Sequence, residues 1–249
     1  MQVKQALTIQ ELTVQYQGKT ALAIDNITIP AGKITGIIGP NGAGKSTFIK
    51  GLLGLVPTQK RKITLGKTPI DNHRRQIAYV EQRSALDLTF PITVLEVVLM
   101  GTYPNMGLFK RPKKQERQQA LAALEQVSMS AFANRQIGEL SGGQLQRIFI
   151  ARVLAQKAEV IILDEPFVGI DMTSEQVIIS LLKQLKAAGK LILIVHHDLH
   201  KVSHYFDDLL ILKQRLIAAG PVQSAFTKSA IDAAYGDLLG DLLGKEFSK

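Results

Sequence analysis

The sequence predicts an α/β fold built on a mostly parallel sheet, with a helical segment inserted partway along the chain. Short apolar runs alternate with helical patterns on both sides of that segment, an order that lays helices over the faces of a parallel sheet. From Ala85 to Leu140 the strand signals vanish, leaving helical patterns and a loop. The run "KITGIIG" (Lys33 to Gly39) stops in glycines, as a buried parallel strand would.

In chain order, "LTIQELTVQY" (Leu7 to Tyr16) alternates apolar and polar residues and reads as a half-exposed strand. After "KITGIIG" a helical pattern runs from Lys45 to about Leu53 and stops near Gly54 and Pro57. "QIAYVEQ" (Gln76 to Gln82) is another short strand. In the inserted segment "TVLEVVLMG" and "QERQQALAALEQV" read as helices, with "TYPNMGLFKRPKK" as the loop between them. Alternation then resumes with "VIIL" (Val160 to Leu163), the helix "SEQVIISLLKQLKAAG", the strand "LILIV" and a helix after Asp198. The tail carries a short duplication, "DLLGDLLG" (Asp237 to Gly244), read as a frayed or packing helix without chemistry.

Composition narrows the function classes. The 249 residues suffice for one substantial domain or a core with an inserted subdomain, and 46% apolar with 20% charged residues argues against disorder. The absence of cysteine excludes disulfides, thiolate metal sites and cysteine nucleophiles, and fits a cytosolic setting. Residues 1 to 30 lack a basic start followed by an apolar core, so no signal peptide is expected. Runs such as "LILIV" fall far short of the roughly 20 residues that a spanning helix needs, so any membrane crossing belongs to another chain. The net charge of +9 suits a polyanionic ligand, nucleic acid or an anionic membrane face. The densest basic cluster, "FKRPKKQER" (Phe109 to Arg117), has no interleaved aromatics, which disfavours nucleic acid and leaves the cytoplasmic membrane face.

"GPNGAGKST" (Gly39 to Thr47) fits G-x-x-x-x-G-K-[ST] between a predicted strand and a predicted helix, the context that pattern requires. Gly39, Gly42 and Gly44 let the backbone curl until its amides face phosphate oxygens. Asn41, Ala43 and Thr47 complete the loop, and the helix adds its positive end. Lys45 would reach the β- and γ-phosphates, and Ser46 would place its hydroxyl on Mg²⁺. In "VIILDEP" Asp164 ends a buried strand, where it can hold the Mg²⁺ shell. Glu165 follows it, where it can polarise the water that attacks the γ-phosphate.

In "ELSGGQLQR" (Glu139 to Arg147), Ser141 reads as a helix N-cap and two glycines expose amides, a second anion site separate from the first. Leu140, Ser141, Gly142, Gly143 and Gln144 resemble the signature of the ATP-binding cassette (ABC) ATPases, and the resemblance spans roughly Leu7 to Pro221. It implies a P-loop NTPase fold with a RecA-like, mostly parallel core, N-terminal antiparallel strands and an inserted helical subdomain. One domain would fill residues 1–249, with a nucleotide-binding core of 1–84 and 145–220, a helical subdomain of 85–144 carrying the signature, and a tail of 221–249.

The resemblance further implies that two cassettes pack head to tail around ATP and Mg²⁺. Ser141 and Gly143 of one copy would then contact the γ-phosphate held by the other. Tyr16 matches the aromatic that stacks on adenine. Gln82 matches the glutamine that contacts Mg²⁺ and the attacking water. Asp171 matches the aspartate linking the two sites, and His197 the histidine that hydrogen-bonds the γ-phosphate. Val168 stands where a small residue such as alanine is more usual. One phosphate loop and one signature per chain imply a homodimer at the cytoplasmic membrane face, with a separate permease and, indirectly, an extracellular substrate-binding protein. "YVEQ", "FPITVLEVVLMGTYPNMGLFKRPKK" and "IVHHDLHKVSHYFD" resemble the branch serving manganese, zinc and iron uptake. Export, or a soluble ATPase acting on nucleic acid or cofactor assembly, shares the same nucleotide motifs. The signature sets aside a phosphate-loop kinase or GTPase.

His196, His197, His200 and His204 lie within nine residues. His200 and His204 have the i, i+4 spacing of a metal pair, but no carboxylate or third imidazole shares their face. Leu199, Val202 and Phe206 would form the apolar stripe of the helix after Asp198, turning His200 and His204 to the wetter side.

Overall fold

The computed structural model describes residues 5–82, 89–106 and 110–236. Residue 85 at the start of the inserted segment, Phe109 of the basic cluster and the "DLLGDLLG" stretch lie outside these. The elements begin with β1 (Leu7–Tyr16), β2 (Lys19–Ile29), β3 (Lys33–Ile38), α1 (Lys45–Leu53), β4 (Thr58–Leu65), β5 (Thr68–Pro69) and β6 (Ile77–Val80). The helices α2 (Val94–Met100), α3 (Lys114–Gln126) and α4 (Gly142–Gln156) follow, then β7 (Val160–Asp164) and α5 (Met172–Ala187). The chain continues through β8 (Leu191–Val195), α6 (Val202–Tyr205), β9 (Asp208–Leu212), β10 (Leu216–Pro221), α7 (Val222–Ala225) and α8 (Lys228–Tyr235). Two compact units result, one of residues 1–74 with 186–249 and one of residues 75–185.

In the first unit β1 lies between β2 and β4, antiparallel to both, and β5 extends the sheet beyond β4. The alternation in β1 skips a step between Ile9 and Leu12. A register shift against β4 at that point returns both halves to one face, so Leu7, Ile9, Leu12 and Val14 are all fully buried. At about 1.5–3 kcal/mol for each such side chain, this row is a main tie between sheet and core. β4 escaped the sequence reading because "TQKRK" hides it. The structure gives Arg61 a use there, since its guanidinium donates to the carbonyls of Gly51 and Leu52 at 3.0 and 2.9 Å and pairs with Asp71. It thereby satisfies carbonyls that the last turn of α1 leaves open.

The second sheet of this unit runs β10-β9-β3-β8. β3 is parallel to β8 and β9, and β10 turns back antiparallel on β9. β8 and β9 are buried along their full length, as continuous apolar strands of a parallel sheet must be. Lys33 and Asp208, joined at 2.7 Å, tie the start of β3 to that of β9.

The helix expected after Asp198 is shorter than the stripe suggested. A 3₁₀ turn (Leu199–Lys201) leads into α6, and Phe206 is already extended. Phe206 is buried nonetheless, because its ring fills the space beside Gly36, where an added Cβ would come within 2.6 Å of Cδ2. Asp198 does cap this segment, accepting from the His200 N–H at 3.0 Å.

In the second unit β6 and β7 pair in parallel, from Ile77 opposite Val160 to Val80 opposite Leu163. α2 opens with a capping box in which the Glu96 carboxylate accepts from the Thr93 N–H at 2.8 Å. α4 is the central helix of this unit, with Leu145, Ile148, Phe149, Ala151 and Val153 all buried.

Gly36→Ala is expected to lower stability by about 1–3 kcal/mol through overpacking. In a double-mutant cycle with Phe206→Leu, urea denaturation should show that the two costs are coupled. Additive costs would contradict the contact.

Candidate active site

The phosphate loop, Gly39–Thr47, connects β3 to α1 in the first unit. Gly42 and Gly44 take left-handed φ values of 77° and 91°, which a side chain would resist. Lys45 folds back over the loop and donates to the carbonyls of Gly39 at 2.7 Å and Pro40 at 3.0 Å, which closes the curl. The N-cap of α1 is Gly44, with no side-chain cap and no acidic residue in the first turn. A helix start normally carries a capping side chain or an acidic first turn, and α1 has neither. That is the arrangement an anion completes, so the loop fits a phosphate chain. Asn41 and Ser46 are exposed, Thr47 is half-buried and Ala43 is buried beneath the loop.

β8 and β3 are in register at Ile37 opposite Val195, and the His196 N–H continues the ladder to Ile37 O at 3.0 Å. Two residues further on, the register brings His197 out level with Gly39. His197 is exposed and His196 buried. Tyr16, at the end of β1 opposite Lys19, leaves its ring 46% exposed, as a stacking platform requires.

The acidic pair lies in the second unit. Asp164 ends β7 and is only 6% exposed, whereas Glu165 is half-exposed and held at φ 52°. Gln82 donates through Nε2 to Glu165 Oε2 at 2.9 Å, which leaves its carbonyl oxygen as an acceptor. Gln82 and Asp164 in this unit, and separately Ser46 in the first, each carry the kind of oxygen that suits Mg²⁺. The Tyr79 hydroxyl is enclosed and faces Asp164. Burial pushes its pKa well above the usual tyrosine range, and the charges of Asp164 and Glu81 add to that.

Ser141 caps α4. Its hydroxyl accepts from the Gln144 N–H at 3.3 Å, and Gln144 Oε1 accepts from the Ser141 N–H at 2.9 Å, a reciprocal capping box. Gly142 is half-buried, while Gly143 is buried against Asp171 and Ser174, where a Cβ would strike the Ser174 hydroxyl and the Asp171 carboxylate. Asp171 in turn accepts from the Ser174 N–H and hydroxyl, both at 2.8 Å. The Ser174 amide lowers the Asp171 pKa most, with the Ser174 hydroxyl next and the Arg147 guanidinium adding to it.

The structure thus groups Gly39 to Thr47 with the level of His197 in one unit. In the other it joins Gln82 to Glu165, and Gly143 to Asp171. Tyr79 and Ser174 were missed. The Asp-x-x-Ser pattern of Asp171 and Ser174 was a legible capping signal, but only the β6–β7 register brings Tyr79 to Asp164. His200 and His204 are both exposed, on a segment of one 3₁₀ turn and one α turn.

Fold and loop together define a phosphate-loop ATPase. Residues 22–168 match the family described as ABC transporter. The chain is 60% identical, over 93% of its length and 96% of that protein, to the manganese transport system ATP-binding protein MntB of Listeria monocytogenes. It is 49% identical to the zinc transport system ATP-binding protein TroB of Treponema pallidum, over 96% of this chain and 90% of that one. The ADP conformation of MJ1267, an ATP-binding cassette of an ABC transporter, superposes with a TM-score of 0.76 at 25% identity, covering 96% of this chain and 98% of that one. The dimeric structure of MJ0796, a bacterial ABC transporter cassette, does so at 0.72 and 27%, covering 87% and 98%. The chain belongs to the ABC transporter family, as an ATPase cassette.

Because the Asp171 carboxyl is depressed in the folded protein, its stabilising effect is present above the ordinary carboxylate range and lost as pH falls through the folded value. Asp171→Ala should therefore lower the urea midpoint at pH 7, and the difference from wild type should shrink below about pH 4. A difference independent of pH would contradict a charged cap.

Proposed function

We propose that this chain is the ATP-hydrolysing subunit of a transporter for uptake of a divalent metal ion, manganese first. The observation carrying this reading is the 60% identity, along nearly the whole of both chains, to a manganese transport system subunit. Zinc stands second, on the relative at 49% identity. Chelated iron follows, since the chelated iron transport system membrane protein YfeB of Yersinia pestis is 38% identical over 95% of this chain and 81% of that one.

In this reading ATP is the substrate of the loop. The amides of Gly39 to Thr47 and the Lys45 ammonium hold its phosphates, Tyr16 stacks on the base, and His197 donates to the γ-phosphate. Mg²⁺, bound with ATP by Ser46, Gln82 and Asp164, would offset charge on the β- and γ-oxygens. Glu165 takes the proton of the attacking water, and Gln82, already bonded to it, orients its carboxylate. Ser141, Gly142, Gly143 and Gln144 serve the nucleotide of a second copy, and Asp171 links the two sites. Exposed Val168 and Met172, flanking Asp171, support such a dimer face.

Among the described residues no helix is long and apolar enough to cross a membrane, and the reading assigns the crossing to a separate integral-membrane permease, with this chain peripheral on its cytoplasmic face. Phe90, Met100 and Tyr103 remain 61%, 42% and 49% exposed, and their position in the helical segment supports its role as the docking face. The segment bounds 85–144 and the extracellular substrate-binding protein belong to the same proposal.

Glu165→Gln should keep ATP binding, accumulate an ATP-bound dimer in size-exclusion chromatography and lose about 100-fold or more in turnover. Wild-type turnover would remove Glu165 as the base. Lys45→Ala should weaken ATP binding at least roughly tenfold by calorimetry, as befits a lost charged hydrogen bond. Uptake of manganese, zinc and iron, each measured with and without this chain, tests the cargo. If none depends on it, the transport reading falls while the ATPase stands.

A further inference from the structure

The end of β9 and the turn after it touch the phosphate loop at two points, its first residue and its middle. The first contact is at Gly39, where an added Cβ would strike the backbone carbonyl of Leu212, the last residue of β9. The second is at Ala43, whose carbonyl accepts from the Gln214 N–H at 2.8 Å. The Gln214 carbonyl in turn accepts from the Ala23 N–H of β2 at 2.9 Å, so this one peptide stretch is pinned between loop and sheet. Gln214 sits at φ 57°, a left-handed conformation that a non-glycine residue resists and that persists only where surrounding bonds impose it. The turn is held from the other side by α8, because the Lys213 ammonium donates to the carbonyl of Ala233 at 3.0 Å. Tyr235, at the end of α8, buries its hydroxyl where the Gly39 N–H is directed toward it, in a geometry looser than a full hydrogen bond.

None of these atoms is needed to build the loop's own curl, which Lys45 already closes from within. Their common property is that they fix where Gly39 and Ala43 stand relative to β2 and β9. Phosphate recognition by backbone amides depends on that placement, since an amide that drifts by an ångström no longer points at an oxygen.

We infer that the Leu212–Gln214 turn and α8 form a clasp that holds the phosphate loop in its nucleotide-binding conformation, with Lys213 and Tyr235 as positioning residues. The inference rests on the loop being the ATP site. It gives the C-terminal segment a role in ATP affinity and none in the chemical step.

The test uses the full chain and Mg·ATP. Tyr235→Phe keeps the ring and removes the hydroxyl, and Lys213→Met keeps the stem and removes the ammonium. Lys213→Met should raise the Kd for ATP by roughly fivefold in calorimetry, the change expected for one net hydrogen bond, and Tyr235→Phe by a smaller factor of about twofold, because its approach to the loop is looser than a hydrogen bond. KM for ATP should rise in parallel, with kcat at saturating ATP within about twofold of wild type. The Tm without nucleotide should stay within a few degrees, while the ATP-induced rise in Tm shrinks. Unchanged Kd in both variants overturns the clasp. So does a loss of affinity matched by an equal loss of nucleotide-free stability, because that is the mark of a purely structural contact. Failure of the wild-type chain itself to bind ATP would sink the reading of the loop instead, so the two failures are distinguishable.

Discussion

The parallel register of β3 with its two neighbours is the constraint on which the nucleotide side of this protein depends. Ile37 stands opposite Val195, and Ile38 opposite Ile211. Three buried strands therefore end at one level and release three loops there. One curls into the phosphate loop, one carries His197, and one turns back through Gln214. A slip of one residue would invert the side chains of a strand buried on both faces, so the apolar sequences of β8 and β9 hold the register firmly. The chemistry at the loop is thus inherited from hydrophobic residues that never meet a ligand.

The second unit uses a different device. Its functional groups are fastened to one another by polar contacts at helix starts and strand ends. Ser141 and Gln144 cap each other, Asp171 binds Ser174, and Gly143 nests against that pair. Because Gly143 must lack a side chain for Asp171 and Ser174 to occupy that space, the signature loop and the start of α5 form one packed element. A displacement of either is then felt by the other, a useful property in a cassette whose two nucleotide sites are proposed to work together.

Legibility followed the range of the interactions. The place of the glycine-rich loop between β3 and α1 could be read because loop, lysine and helix are contiguous, and α1 begins and ends where its pattern said. β1 and β8 were equally plain from alternation and from an unbroken apolar run. β4 was hidden since Lys60, Arg61 and Lys62 look like a solvated stretch, and the use of Arg61 is visible only once α1 is beside it. The helix after Asp198 was read too long because Phe206 fits a helical stripe, whereas its burial comes from the gap beside Gly36. Tyr16 and His197 owe their assigned roles to resemblance. Spacing alone marks the first as a strand residue and leaves the second among crowded histidines.

Glu165 carries a cost of a different kind. Held at φ 52° without being glycine or asparagine, it stores about 1–3 kcal/mol of backbone strain next to a buried aspartate. A glycine there would relax the turn and give a more robust protein that lacks the proposed base. Selection of variants for thermal endurance alone would favour that loss, so stability and the proposed chemistry pull in opposite directions at this one residue.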